Sequence, residues 1–273
     1  MIIDLNNFFH ILLPMNFLTE LLQFALEEDC VTEDVTSLAC IPENDQAVGE
    51  LVLKQDGVIA GLPFLGKIFR FEAFAKDGQA CKKGMMLGRA TGSARELLGK
   101  ERTALNLLQH LSGIATLTAR CVALAGGCKI LDTRKTLPGY RELQKYAVRC
   151  GGGTNHRMHL GERILIKNNH LALVKDAIGK CKGREFEVEV GSFEELQAAL
   201  ELGAKAVLLD NMSVKEVQRC VEFAKGKAFL EASGGITLEK IADYAKTGVD
   251  GISMGALTHS APALDIAFRI RSV

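Results

Sequence analysis

The apolar residues follow one rhythm up to about residue 126 and another after it. In 16–28, Phe17, Leu18, Leu21, Leu22, Ala25 and Leu26 recur at helical spacing, and DCVTEDVTS follows as a loop. Residues 47–60 predict two strands meeting at Asp56-Gly57, a favoured hairpin turn. Short strand-like pieces over 63–91 are separated by Asp77-Gly78, Lys83-Gly84 and Gly88. A long helix is predicted from near Ser93, with Leu97, Leu98, Leu105, Leu108 and Leu111 on one stripe, and Gly113 is expected to break or bend it. Arg102, Asn106 and His110 lie four apart and share its polar face. This half predicts a small antiparallel sheet with helices.

Beyond 126 strands and helices alternate. Strands are predicted at 128–133, 163–167, 185–190, 206–210, 228–233 and 249–254. Helices are predicted between them near 139–150, 170–180, 192–203, 213–225 and 237–247. Repeated strand–helix units with strands read as apolar on both faces indicate a parallel sheet. Six strands are fewer than the eight of a full barrel, which leaves an incomplete barrel or an open doubly wound sheet.

Composition narrows the class. A chain of 273 residues, 48% hydrophobic and 24% charged, buries a sizeable core and suits a soluble globule. No apolar run is expected to reach a membrane span. The N-terminal MIIDLNNFFHILLPMNFL carries Asp4, and no Lys or Arg precedes Lys54, so it predicts neither a signal nor a transit peptide; a cytoplasmic location is expected. The eight cysteines are scattered without metal spacing and are expected to be reduced and mostly buried. Residues 1–53 hold ten acids and no Lys or Arg. That is read as a solvated acidic face, with self-association against a basic surface as the sharper alternative.

Charge then singles out one stretch. The chain is neutral, with 33 basic and 33 acidic residues, yet 131–170 holds eight Lys/Arg against three acids, plus His156, His159, His170 and Gly151–Gly153. A cationic, Gly-rich patch in a neutral chain suits a small polyanion; nucleic acid would call for a basic domain overall. In parallel βα architectures the site lies at the carboxyl ends of the strands. Those ends carry Asp132 and Arg134, Lys167, Glu189, Asp210, Ser233 with Gly234-Gly235, and Ser253 with Gly255. Glu189 and Asp210, on neighbouring strands, offer hard oxygen ligands that suit Mg²⁺; helix caps or partners of nearby lysines are the plainer alternative. The Ser233–Gly235 and Gly255 turns can make anion nests, with His259 one helical turn on. Arg134 and Arg157 can each grip a carboxylate or phosphate bidentately, with Lys135 and Lys167 as point charges. Glu187, Glu231 and Asp250 lie near strand ends without an assignable role.

The ordered motifs TRKTLPG (133–139), KYAVRCGGGTNHR (145–157), LIKNNH (165–170), EVEV (187–190), LLDNM (208–212), EASGGI (231–236) and GVDGISMGALTHS (248–260) closely resemble quinolinate phosphoribosyltransferase. EEDCVTEDVTS (27–37) and KERTALNLLQHLSGIAT (100–116) extend the match. Leu137 and Glu162 are small departures from the family pattern.

The resemblance implies an N-terminal α/β sandwich domain (1–112), an open, incomplete β/α barrel (113–263), and a tail (264–273) returning to the sandwich. It implies a homodimer, sometimes assembled further, in which Arg102 enters the partner's site; from the neutral charge and the apolar pattern, no nucleic-acid or membrane partner is expected. It also implies conversion of quinolinate and phosphoribosyl pyrophosphate to nicotinate mononucleotide, CO₂ and pyrophosphate, with Mg²⁺, as a step of NAD biosynthesis. Arg102, Arg134, Lys135, His156 and Arg157 would hold the two carboxylates. Lys167, Glu189 and Asp210 would surround the ribose and the magnesium diphosphate, directly or through water. Ser233, Gly234, Gly255 and His259 would seat the phosphates. Lys135, Lys167, Glu189 and Asp210 are the catalytic candidates. The Gly151–Gly153 run is expected to let the NHR turn close on the dicarboxylate. The rivals are a ModD-like paralogue acting on another acceptor, a Schiff-base aldolase using Lys135 or Lys167, and a non-catalytic ligand sensor.

Overall fold

The computed structural model describes residues 15–181 and 183–273, so the N-terminal apolar stretch weighed as a leader falls mostly outside the described residues. The described chain divides into two compact units. One runs to His110 and is completed by Leu264–Val273; the other is Leu111–Ala263.

In the first unit, helices α1 (Met15–Glu28) and α2 (Val35–Cys40) precede β1 (Gln46–Leu53), β2 (Gly57–Val58), α3 (Leu62–Leu65), β3 (Arg70–Ala73), β4 (Ala80–Cys81) and β5 (Met86–Ser93). Asp34 caps α2, its carboxylate accepting from Thr36 and Ser37 N–H. The sheet order is β12-β1-β5-β3, where β12 is Ile266–Ser272, and every pairing is antiparallel. The predicted hairpin at Asp56-Gly57 does not form: β1 pairs with β12 and β5, whereas β2 pairs with β4. Asp56 instead receives Lys83 N–H and pairs with Lys82. The partner for β1 comes from the far end of the chain, which a local turn signal cannot reveal.

Helix α4 (Ala94–Leu124) runs without interruption through Gly113, contrary to the expected break. A Cβ at Gly113 would lie 2.1 Å from the Pro262 carbonyl oxygen. Close passage of the chain against the helix therefore requires glycine there, and the helix continues through it. By length and composition α4 could cross a bilayer, which the sequence reading did not expect. Half of its most apolar stretch is buried, and Leu97, Leu105, Leu108, Leu111 and Ile114 are core residues.

The second unit alternates β6 (Lys129–Leu131), α5 (Arg141–Cys150), β7 (Ile164–Ile166), α6 (Asn168–Leu173), β8 (Phe186–Val190), α7 (Phe193–Glu201), β9 (Ala206–Asp210), α8 (Val214–Ala224), β10 (Phe229–Ser233), α9 (Ile241–Lys246), β11 (Gly251–Ser253) and α10 (Ala256–His259). Ser192 and Ser213 open α7 and α8 by accepting the N–H of Glu195 and Glu216. The helix expected over 170–180 is shorter: α6 ends at Leu173 and a single 3₁₀ turn covers Gly179–Cys181.

The parallel sheet has the order β6-β11-β10-β9-β8-β7. The first strand pairs with the last, and among the described residues no ladder joins β6 to β7. A doubly wound sheet would place the first strand inside the sheet, so this order is that of a barrel with one open seam. At that seam Thr154 makes a parallel bridge to Leu131. Strand β8 departs from the expectation of two apolar faces. All five of its residues are buried, yet Phe186, Val188 and Val190 alternate with Glu187 and Glu189. One face is an ordinary core and the other is buried and acidic.

The eight cysteines are free thiols, but only Cys81, Cys121 and Cys220 are buried, and Cys30 and Cys40 are exposed, against the expectation that most would be buried. Burial pushes the Cys121 and Cys220 thiols up to about 11, so both behave as small hydrophobes.

Candidate active site

Strand register sets the levels of the site. Glu189 pairs with Leu208, and Ser233 pairs with Asp210. Asp210 therefore sits two residues, about 7 Å, further along the strand direction than Glu189. Lys167 follows β7 directly, and its Nζ lies 2.6 Å from Glu189 Oε2. The second oxygen of Glu189 accepts the Asn168 N–H at 3.5 Å. Asp210 Oδ2 accepts from Asn211 Nδ2 at 2.8 Å. Asn211 has φ +57°, and its N–H donates to the Ser233 carbonyl at 2.9 Å. Gly234, at φ +96°, leaves room for Asn211: a Cβ there would lie 2.2 Å from Asn211 Oδ1. Asp210, Asn211, Ser233 and Gly234 thus form one tight turn cluster.

A second group gathers where β6 and β11 end. The Lys135 carbonyl accepts from Thr258 Oγ1 at 2.8 Å. The Lys135 side chain and the His259 ring both lie against Gly255, at 2.7 and 3.1 Å from the place of a Cβ. Lys135, Gly255 and His259 therefore converge. Lys135 and His259 are exposed, and His259 Nδ1 lies 2.6 Å from Ser260 Oγ.

Arg157 is buried at 6% exposure. Its guanidinium donates to the Arg163 carbonyl at 3.0 Å. Burial, followed by the neighbouring Arg134 charge, lowers the Arg157 pKa. Arg134 Nε is itself buried with no hydrogen-bond partner. Two guanidinium charges that act on each other, one lacking a partner for a buried N–H, leave a strong demand for an anion.

The interior beneath them is acidic. His156 Nε2 lies 3.2 Å from Glu187 Oε2 and 3.6 Å from Glu231 Oε2, and all three residues are buried. Arg163 approaches Glu187 at 3.7 Å. Desolvation, then Glu187, pushes Glu231 up to about 7. For His156, burial alone would lower the pKa, and the two carboxylates more than offset it. The Arg157 N–H, however, donates to His156 Nδ1 at 2.7 Å. That bond opposes a proton on Nδ1, so the ring carries its proton on Nε2, facing the glutamates. By residue type the trio could hold a metal ion. An ion at Nε2 would force the ring proton onto Nδ1, against that N–H.

Family models for the quinolinate phosphoribosyl transferase N-terminal and C-terminal domains match residues 34–112 and 114–269. The chain belongs to the quinolinate phosphoribosyltransferase family. It is 43% identical over 254 residues to a nicotinate-nucleotide pyrophosphorylase (carboxylating) of Mycobacterium leprae, covering 85% of this chain and 89% of that protein. It is 37% identical over 292 residues to a mitochondrial quinolinate phosphoribosyltransferase (decarboxylating) of Nicotiana glauca, covering 94% and 83%. Among solved structures, NadC from Streptococcus pyogenes superposes with a TM-score of 0.90 at 36% identity, covering 96% of this chain and 99% of that one.

Within this member of the quinolinate phosphoribosyltransferase family, ladder register and direct contacts tie predicted residues into groups: Lys167 with Glu189, Asp210 with Ser233 and Gly234, and Lys135 with Gly255 and His259. Arg134 and Arg157 are related through charge, the Arg134 guanidinium helping to lower the Arg157 pKa. Arg102 is exposed on the part of α4 that belongs to the first unit. The His156 ring nitrogens face Arg157 N–H on one side and the two glutamates on the other. The three glycines differ from expectation. A Cβ at Gly151 would meet the Ala115 carbonyl oxygen at 2.4 Å, and one at Gly153 would meet Thr118 and Val148 at 2.7 Å. Gly151 and Gly153 let the end of α5 pack on α4. Sequence reasoning passed over Asn211, although it stands inside the LLDNM motif. It left Glu187 and Glu231 unassigned, although alternating charge in a strand of a parallel sheet is itself a signal of a polar interior. Asp250 is structural: it accepts the Leu230 N–H at 2.8 Å, on the amino-terminal side of β11.

Proposed function

We propose that the chain transfers phosphoribosyl from phosphoribosyl pyrophosphate to the ring nitrogen of quinolinate and releases CO₂, giving nicotinate mononucleotide for NAD biosynthesis. The observation that carries the reading is the buried, unpartnered Arg134 N–H together with the buried cation Arg157, whose pKa the Arg134 charge helps to lower, in a unit whose strand ends bear Lys167, Glu189 and Asp210. A planar ring with two adjacent carboxylates suits bidentate guanidiniums.

In the reaction the ring nitrogen forms a bond to C1 of the ribose as the C1–O bond to pyrophosphate breaks. Glu189 and Asp210 supply fixed negative charge next to a ribose carbon that becomes cationic. Ribosylation leaves the ring nitrogen positive. The bond to the 2-carboxylate then breaks, the positive nitrogen stabilises the electron pair left on C2, and a proton from Lys or water replaces CO₂. Ser233, Gly234, Gly255 and His259 seat the phosphates, and Lys135 adds a point charge beside Gly255. Positioning and electrostatics carry more of the rate than proton transfer.

Glu189 and Asp210 are hard oxygen donors, which suits Mg²⁺. Their offset along neighbouring strands, and the engagement of one Glu189 oxygen by Lys167, favour an ion held through water. When bound, Mg²⁺ neutralises charge on the diphosphate leaving group.

The active form is a homodimer in the cytoplasm, with the exposed Arg102 reaching the partner's dicarboxylate site. Purified protein given quinolinate, phosphoribosyl pyrophosphate and Mg²⁺ should release CO₂ and form nicotinate mononucleotide in equal amounts. Absence of CO₂ would assign a different acceptor. Mixing Arg102→Ala chains with Arg157→Ala chains should restore part of the activity that each lacks. No recovery in mixed dimers would remove Arg102 from the partner's site.

A further inference from the structure

Asp132 and Lys145 are both wholly buried, and Lys145 Nζ donates to Asp132 Oδ1. Burial pulls both groups toward neutrality, Asp132 up to about 6 and Lys145 down, and their mutual pairing opposes it. The other two protons of Lys145 go to the carbonyls of His156 at 2.8 Å and Arg157 at 3.1 Å. Asp132 Oδ1 also accepts the His156 N–H at 2.9 Å. The Asn155 amide, oriented to satisfy its neighbours, donates to Asp132 Oδ2 at 2.8 Å and the Lys145 carbonyl at 2.9 Å. Just before it, Thr154 exchanges backbone hydrogen bonds with β6 and Asp132. Every backbone polar group of His156 and Arg157 is thereby fixed, three by the ion pair and the fourth, Arg157 N–H, by His156 Nδ1.

Such an arrangement is more than stability requires. A buried ion pair costs heavy desolvation, and apolar residues of similar volume often serve stability as well. What apolar residues cannot do is hold two carbonyls and an amide at one open seam. We propose that Asp132–Lys145 is a positioning pair for the dicarboxylate clamp: it sets the 155–157 backbone so that the Arg157 guanidinium, with Arg134, can hold one ligand. The inference rests on the reading that these arginines hold the quinolinate carboxylates.

The test uses the full-length protein and the double variant Asp132→Asn/Lys145→Met, which removes both charges together. The expected result is a cooperative melt, a KM for quinolinate raised at least about tenfold, and a KM for phosphoribosyl pyrophosphate within about twofold of the parent. Unchanged quinolinate KM, or equal increases in both KM values, would overturn the proposal, since a purely structural pair has no reason to single out one substrate. If the double variant does not fold, Asn155→Ala carries the test. It removes two bonds from the same turn and should shift quinolinate KM in the same direction with phosphoribosyl pyrophosphate unaffected; no selective shift counts against the pair. Direct quinolinate binding by Arg157→Ala, measured by calorimetry without turnover, separates the two readings. Undiminished binding there sinks the clamp itself. Weakened binding there, with parental binding in the pair variants, sinks only the positioning role.

Discussion

Replacing Arg157 by alanine is expected to lower kcat/KM for quinolinate by about a thousandfold. Arg157 is 6% exposed, its guanidinium is anchored at 3.0 Å to the Arg163 carbonyl, and the Arg134 charge acts on it. Its charge is therefore only weakly screened by water. Truncating one partner of a buried charged contact costs roughly 3–5 kcal/mol, because the other charge is left buried and unpaired. At about 1.4 kcal/mol per factor of ten, that is on the order of 10²- to 10⁴-fold. The loss should fall mainly on quinolinate KM, with phosphoribosyl pyrophosphate KM little changed. Arg157→Lys should restore only part of the activity, since an ammonium lacks the planar fork. Steady-state kinetics with each substrate varied would decide it: a loss under tenfold, or full rescue by lysine, would show that Arg157 does not clamp a carboxylate.

The largest effect on stability is expected from Glu231→Gln, and it should depend on pH. Desolvation and the nearby Glu187 hold Glu231 at about 7, above its ordinary 4.5. A carboxyl with a raised folded pKa binds its proton more tightly in the folded state. Its contribution to stability is complete below 4.5 and is lost as pH rises through about 7. Over that window the parent gives up on the order of 3 kcal/mol, which glutamine, unable to ionise, retains. With about 2–4 °C per kcal/mol for a unit of this size, the variant should melt near the parent at pH 5 and roughly 6–12 °C above it at pH 8. Thermal melts at the two pH values test this. An equal difference at both would mean that Glu231 does not ionise in the folded protein over this range.

Both predictions depend on residues that were unequally visible in the sequence. Arg157 stands in a motif and in a cationic stretch, so its chemistry could be read directly. Glu231 could not be assigned, because a glutamate near a strand end is usually a surface residue, and its partners His156 and Glu187 lie 75 and 44 positions away along the chain. Asp132 and Lys145 are only 13 positions apart, yet nothing in the local pattern marks them as buried partners. Lys145 reads as one more surface cation of an amphipathic helix, yet it is among the largest wholly buried side chains.

The glycines make the complementary point. Gly113 and Gly151 look like breaks or ligand cradles in one dimension. Contacts with Pro262 and Ala115 show that they are places where two chain segments pass too closely for a Cβ.

The sequence by itself determined the two rhythms of the chain, the strand–helix alternation after residue 126, and the residue types at the strand ends. These follow from local periodicity and from capping residues next to the elements they start. Only the tertiary structure decided that β6 pairs with β11, which makes the sheet an open barrel, and that the tail supplies a partner for β1. It alone showed that the 155–157 turn is built around a buried ion pair. Strand order and burial are set by which distant surfaces exclude water together, and no window along the chain contains both surfaces.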